Sequence, residues 1–283
     1  RSDSVVVFAA NPSAFSTSET NHGVEAAARK RRFLLNIVSL DESDMDSVKA
    51  RVRMGLSIRP AGVIVYEYDR AGIAALEYIP KDMPMVVVGG SFGDGEYQVI
   101  NAERDGGRWM TMHLLDLGHR TVFHVGRPEG PTDNTRTNGW RDALKERGVT
   151  APDPIIVPDD DLEESVKAGR TLGRRGDVTA IFAGNDETAI AVIRGLREVG
   201  RRVPADVSVV GFDDRNFGAM WNPALTSYTQ NFLDMGERSF RMLFEQIQAK
   251  RAGDDAPPSQ VEVVQGKPCL RASERAYGDG EIA

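Results

Sequence analysis

Residues 179–214 read TAIFAGNDETAIAVIRGLREVGRRVPADVSVVGFDD, and this stretch decides the predicted fold. It contains two short runs rich in Val, Ile and Phe, 179–183 and 207–212, which are typical of buried parallel strands. Apolar residues recur at helical spacing between the two runs, namely Ala189, Ile190, Ile193 and Leu196. Gly200 follows them as a helix C-cap. The stretch therefore predicts a right-handed βαβ unit.

Polar residues follow both predicted strands, in the segments AGND and GFDD. Asn185 and Asp213 therefore lie just past the carboxyl ends of the strands, where open parallel sheets bind ligands. Asn offers a donor and an acceptor, whereas an ionised Asp offers only acceptors, so the pair suits vicinal hydroxyls. The alternative is a structural role, because Asn and Asp commonly form turns, and Asn185 or Asp186 can cap the helix.

The composition restricts the class of protein. The 283 residues, 41% of them hydrophobic, allow a large core and more than one lobe. A net charge of -7 argues against a chain that binds nucleic acid by itself. The single cysteine, Cys269, excludes an internal disulfide and fits a reducing compartment. We see neither a membrane-spanning run nor a signal segment, so no membrane partner is expected.

Strand and helix patterns alternate along the whole chain, which is typical of doubly wound α/β sheets. The predicted strands outside the quoted stretch are 5–8, 34–40, 62–66, 85–88, 121–125, 155–157 and 261–264. The predicted helices are 23–32, 47–56, 73–79, 105–117, 136–147, 162–172 and 235–250. The Ser/Thr-rich segment that ends at His22 is predicted to be a loop. Two such arrays in one chain imply two similar lobes.

Residues 183–214 resemble the effector-binding core of LacI/GalR-type bacterial transcriptional regulators. The segments LGHRTVFHVGRPEG, RTNGW, PALTSYTQNFLDMG and CLRASERA resemble the same family, so the resemblance spans essentially the whole chain. It implies a type I periplasmic-binding-protein fold, in which two Rossmann-like lobes are joined by three crossover strands. The implied N-terminal lobe comprises 1–101 and 232–259, and the C-terminal lobe comprises 102–231 and 260–283. The crossings would fall near residues 101, 229–231 and 260.

The resemblance also implies an effector site. In the family, the Asn of the (A/S)ND segment and the first Asp of the GFDD segment line the effector cleft. Those positions are Asn185 and Asp213 in this chain. Arg136, at the start of a helix, corresponds to an Arg that donates to effector hydroxyls or to a charged group, although a solvated Arg is the alternative. Gln230 and Phe232 lie at a crossover where the family has polar and stacking contacts.

Four further residues are assigned to the effector site from the first lobe. Asn11 and Phe15 follow the first strand and Tyr66 follows the third, and aromatic rings pack on the C–H face of a sugar. The chain departs from the family next to Asn101, because the usual Asp-Asn pair reads Ala-Glu at 102–103. Asn101 is expected to take part of that role. The chain also departs from the family at 159–162, which reads DDDL, because many members carry an aromatic residue just before the next helix.

The resemblance implies the effector-binding and dimerising part of a cytoplasmic repressor. A small polar effector, most simply a sugar, would control operator binding by a homodimer allosterically. The helix-turn-helix of the family precedes the first strand, and only residues 1–4 do so here, so the chain is expected to lack that segment. The alternative is an exported sugar-binding protein of a transporter, which shares the fold.

An enzyme is the third interpretation, because GGSFG at 89–93 matches G-x-S-x-G. A nucleophile elbow needs a helix directly after the serine, whereas the next residues are turn-like. The last histidine is His124, too early for the order of a hydrolase triad. The histidines lack metal spacing and no G-x-G-x-x-G is present. We expect no catalytic residue, no metal and no cofactor.

Overall fold

A computed structural model of the chain describes residues 3–91, 93, 97–128, 130, 132–158 and 161–278. The chain divides into two compact units. The first comprises Arg1–Asn101, Gly130–Thr132 and Asn231–Gln265. The second comprises Ala102–Glu129, Asp133–Gln230 and Gly266–Ala283. Each unit is built on a parallel sheet, so the prediction of a mixed α/β fold is confirmed.

The elements alternate along the chain. The strands are β1 (Ser4–Ala9), β2 (Leu34–Ser39), β3 (Gly62–Glu67), β4 (Met85–Gly89), β5 (Tyr97–Asn101), β6 (Phe123–Gly126), β7 (Ile155–Ile156), β8 (Ala180–Ala183), β9 (Ser208–Val210), β10 (Ser227–Thr229), β11 (Gln260–Val264) and β12 (Lys267–Cys269). The helices are α1 (Phe15–Lys30), α2 (Val48–Ser57), α3 (Arg70–Leu76), α4 (Glu103–Asp116), α5 (Arg136–Glu146), α6 (Leu162–Gly173), α7 (Asp186–Glu198), α8 (Asn216–Met220) and α9 (Phe232–Ala252).

The sheet of the first unit has the strand order β11-β5-β4-β3-β1-β2, with parallel pairing throughout. Alternate residues of β1 pack into two different hydrophobic clusters, one on each face of the sheet. Val5 and Val7 pack in a cluster with residues of α1 and α9, whereas Val6 and Phe8 pack with residues of α2 and α3. Because helices cover both faces, the strands read as continuous apolar runs rather than alternating ones.

The sheet of the second unit has the order β7-β6-β8-β9, and β10 and β12 form a separate antiparallel pair. The predicted βαβ unit is present as β8, α7 and β9, with Ile181 paired in parallel with Val209. Gly200 has a φ of +82°, as its predicted place after the helix requires. Trp140 is fully buried in the core with Leu144.

The prediction of a loop up to His22 is wrong, because α1 begins at Phe15. Its Ser and Thr side chains serve the helix: the Thr20 Oγ1 donates to the Ser16 carbonyl at 2.7 Å, and Thr17 is buried. Composition suggested a loop, whereas packing against neighbouring elements decides for the helix. The fifth strand, β5, had no sequence prediction.

The long segments of the two units change over after Asn101, after Gln230 and after Gln265, and the short segment Gly130–Thr132 also belongs to the first unit. The sequence places residues 260–283 together in the second lobe. In the structure, β11 pairs with β5, with Val263 opposite Ile100, so residues 260–265 belong to the first unit instead. Among the described residues, no helix is both long and apolar enough to cross a membrane.

Candidate functional site

Polar side chains meet at the carboxyl edge of the sheet in the second unit. Asn185 follows β8 and Asp213 lies three residues past β9. Gln230 donates from Nε2 to the Asp213 Oδ1 at 2.7 Å, and the Arg136 guanidinium faces the same carboxylate. The structure thus brings together Arg136, Asp213 and Gln230 as one hydrogen-bonded group.

Asp213 is held on an unusual turn. Its φ is +92° and that of Asp214 is +51°, conformations that side-chain-bearing residues rarely adopt. The turn is fixed from behind, because the Asp213 N–H donates to the Tyr228 carbonyl at 2.9 Å and the Asp214 N–H donates to the Ser227 Oγ at 3.0 Å. These bonds offset the strain and aim the Asp213 carboxylate at Arg136.

Asp186, which the sequence analysis considered only as a cap, anchors this turn. Its fully buried carboxylate accepts from the Arg215 N–H and from the Ser227 Oγ, both at 2.6 Å. Burial raises the pKa of Asp186 to about 7, with a smaller contribution from the charges of Asp213 and Asp214. The side chain thus holds the turn, rather than facing a ligand.

Arg136 is nearly enclosed, with 12% of its side chain exposed. Its Nη2 lies 3.0 Å from the Asp213 Oδ1 and its Nη1 donates to the Oδ2 at 3.4 Å. Nη2 also donates to the Glu103 Oε1 at 3.2 Å, and Nη1 donates to the Gly184 carbonyl. Burial alone would lower the pKa of Arg136, but the two carboxylates raise it above its usual value.

Glu103 reaches Arg136 because α4 and α5 cross at two glycines. A Cβ on Gly139 would lie 2.0 Å from the Arg104 carbonyl oxygen, and one on Gly107 would lie 2.3 Å from the Arg136 carbonyl oxygen. The backbones can approach this closely only without side chains at both positions. The first residue of α4, Glu103, is thereby placed beside the first residue of α5, Arg136.

Asn185 serves as the N-cap of α7, which confirms that one of the two candidates caps this helix. Its Oδ1 accepts from the Thr188 N–H at 2.8 Å, as a capping side chain should. Within the described residues, its Nδ2 donates no hydrogen bond. One end of the amide is therefore structural, while the other can donate to a ligand.

The first unit holds the remaining candidates. Phe15 and Phe232 make an edge-to-face contact with centroids 5.9 Å apart. Tyr66 is buried, and its hydroxyl donates to the Asn21 Oδ1 at 2.7 Å. Asn101 is buried at the end of β5. Asn11 is exposed in the turn after β1, and its Oδ1 accepts from a serine hydroxyl two residues later. Their assignment to an effector site stays a prediction.

Glu103 as a site residue and the anchoring role of Asp186 were not predicted from the sequence. Asp186 was visible in the AGND segment, but its partner Ser227 lies 41 residues away. Glu103 was noted only as a departure from the family pattern. Its position after a short strand and before a helix was the available signal, but the glycines that bring α4 to α5 are unremarkable in sequence.

The G-x-S-x-G motif at 89–93 lies outside the described residues at position 92, and so do the next residues, 94–96. The Ser91 hydroxyl donates to the Thr132 Oγ1 at 3.1 Å, and its carbonyl accepts from the Gln98 Nε2 at 2.7 Å. The described chain resumes at Tyr97 in a strand, β5. No cluster of three potential metal ligands occurs among the described residues.

The chain is similar to known proteins over most of its length. The sequence profile of the periplasmic binding protein-like domain matches residues 111–273. A transcriptional repressor with a helix-turn-helix, PurR of Yersinia enterocolitica serotype O:8, is 30% identical over 253 residues, which cover 87% of this chain and 72% of the repressor.

Solved structures have the same fold. The transcriptional regulator CelR in complex with cellobiose matches with a TM-score of 0.81 and 25% identity, over 96% of this chain and 85% of that one. The lac repressor dimer bound to operator and the anti-inducer ONPF matches with a TM-score of 0.82 and 22% identity, over 98% of this chain and 95% of that one.

Proposed function

This chain belongs to the LacI/GalR family of bacterial transcriptional regulators, with their periplasmic-binding-protein-like effector-binding domain, and we propose that it binds a sugar-like effector. The observation that carries the proposal is the Asp213 carboxylate, held at the carboxyl edge of a parallel sheet on a strained, anchored turn. Strain of this kind is retained where function requires it. The cellobiose complex of the related CelR supports a sugar as the ligand class.

The roles proposed for the side chains follow from their hydrogen-bonding capacity. Asp213 accepts from effector hydroxyls, and the Nδ2 of Asn185 donates to a hydroxyl oxygen. Gln230 and Arg136 hold the Asp213 carboxylate in place. Asn11, Phe15, Tyr66, Asn101 and Phe232 are proposed to contribute from the first unit.

A homodimer is proposed as the working form. The edge strand β2 exposes Leu34 and Ile37, at 73% and 46% of their surface, and Met54 of α2 and Ile58 directly after it are also exposed. An apolar sheet edge of this kind favours pairing with another chain. A second copy is the proposed partner, because the lac repressor of the same fold forms a dimer on its operator.

The mechanism proposed is allosteric control of operator DNA binding in the cytoplasm. An effector can shift such an equilibrium only by its difference in affinity for the two states of the regulator. Two linked DNA-binding heads per dimer would then read paired half-sites.

A thermal-shift screen tests the proposal. Neutral sugars, nucleosides and sugar phosphates would be added singly, since a ligand that binds only the folded state raises the apparent melting temperature. We expect a neutral sugar or a close relative to raise it with a saturable concentration dependence. A response to none of these classes would contradict the proposed effector class.

A further inference from the structure

We propose that Glu103 sets the charge preference of the effector site, by saturating Arg136 so that the site admits a neutral, hydroxyl-bearing ligand and rejects phosphates and carboxylates. The inference rests on the proposed function and concerns the ligand class of that same site. It assigns a specificity-determining role to the first residue of α4.

The donors of Arg136 can be counted. A guanidinium has five N–H groups, four of them on the two Nη atoms. Nη1 donates to the Gly184 carbonyl and to the Asp213 Oδ2, and Nη2 donates to the Glu103 Oε1. Nη2 also lies 3.0 Å from the Asp213 Oδ1 in an ion pair, so both Nη atoms are held by acceptors of the same unit.

The fifth donor of Arg136 is sequestered. Its Nε is buried and has no hydrogen-bond partner among the described residues. The guanidinium carbon lies 4.3 Å from the centroid of the Phe212 ring, so one face of the group is covered. An anion that approached this arginine would meet Nη atoms that already donate to other acceptors, and it would meet two carboxylates at the same atoms.

The charges around Arg136 also disfavour an anionic ligand. The Arg136 guanidinium carries one positive charge against the two negative charges of Asp213 and Glu103. With the positive charge of Arg127, which also acts on Arg136, these four groups sum to zero, so they present no net positive charge to attract an anion. Carboxylates only accept hydrogen bonds, so the groups that remain for a ligand next to Arg136 recognise hydroxyl hydrogens. Removing Glu103 alone would release one Nη2 donor toward an anion.

A competing explanation is that Glu103 only stabilises α4. It is the first residue of that helix, and an acidic side chain there interacts favourably with the helix dipole. That role would affect stability but would not change the response of Arg136 to an anion. The two explanations therefore differ in a local measurement on the guanidinium.

The experiment is an NMR titration of the Arg136 Nε–H signal with sodium sulfate, against sodium chloride at matched ionic strength. The probe needs no effector, so the result is independent of whether the proposed function holds. In the wild-type chain, we expect sulfate and chloride to have the same effect. In Glu103→Gln, we expect a saturable sulfate response, with an apparent affinity at least about tenfold higher, because one charge-assisted donor is released.

Glu146→Gln is the matched control. It removes the carboxylate that accepts from Arg108 between the same two helices, on the exposed side. We expect it to behave as the wild type does. A saturable sulfate response in the wild type would overturn the proposal, and so would its absence in a folded Glu103→Gln chain. Glu103→Ala removes the acceptor altogether and is expected to give the same saturable sulfate response as Glu103→Gln.

Discussion

The side chain of Asn185 presents an amide with two ends, and α7 uses only one of them. We expect Asn185→Asp to keep the cap, because Asp and Asn cap helices about equally well, with stability within about 0.5 kcal/mol of wild type. It loses the Nδ2 donor, so affinity for the effector should fall. Denaturant unfolding and calorimetric titration measure the two effects separately.

Asn185→Ala provides the comparison at the same residue. It removes the Oδ1 that accepts from the Thr188 N–H as well as the donor, and loss of a cap costs about 1 kcal/mol. It should therefore lose both stability and affinity. Full affinity in Asn185→Asp would show that the residue is only a cap.

At the scale of elements, the crossing of α4 and α5 supports the site. We expect Gly139→Ala to destabilise the chain by roughly 2 kcal/mol or more, because the new Cβ would press on the Arg104 backbone carbonyl. Separation of the helices should also loosen the contact between Glu103 and Arg136. Gly176→Ala is the control, since a Cβ there meets nothing within 4 Å. Equal stability of the two variants would contradict the assigned packing.

The sequence predicts elements whose determinants are local. The apolar runs, the cap at Asn185 and the glycine at 200 suffice for β8, α7 and β9, as the structure confirms. It could not predict the start of α1, because its Ser and Thr residues are helical only through packing. The contact between Glu103 and Arg136 could not be predicted either, because it depends on how two helices cross in three dimensions.

For the whole molecule, two buried groups give opposite dependences of stability on pH. Burial lowers the pKa of His124 to about 4, so its contribution to stability is lost as pH falls from about 6.5 to 4. The raised pKa of Asp186 has the opposite effect, because the stability that its buried proton supplies is lost as pH rises from about 4 to 7. The contributions of His124 and Asp186 to the pH dependence of the unfolding free energy are about 3 and 4 kcal/mol, and they largely cancel between about pH 4 and 6.5.

Asp186→Asn should remove this cancellation. Without the proton uptake of Asp186, the free energy of unfolding should rise with pH between about 4 and 6.5, because the lowered pKa values of His124 and His119 then act without the opposing contribution of Asp186. Denaturant unfolding of both chains at several pH values checks this. Parallel pH profiles for the wild type and the variant would contradict the assignment of the buried proton.

The proposed dimer can be tested at the two edges of one sheet. We expect Leu34→Glu, on β2, to shift the chain to monomers in sedimentation velocity, because it places a charge within the exposed apolar surface. Val261→Glu, on the opposite edge strand β11, should leave the dimer intact. A wild-type monomer at high concentration, or dissociation by both variants alike, would count against this interface.

The most direct measurement for the effector site is a calorimetric titration of wild type and Asp213→Asn with the sugar that the thermal-shift screen identifies. If Asp213 accepts from effector hydroxyls, loss of its charge-assisted hydrogen bonds should weaken binding roughly ten- to hundredfold, while Glu146→Gln keeps the wild-type affinity. Unchanged affinity in Asp213→Asn together with a lowered melting temperature would contradict the account and leave Asp213 only as a structural partner of Arg136 and Gln230.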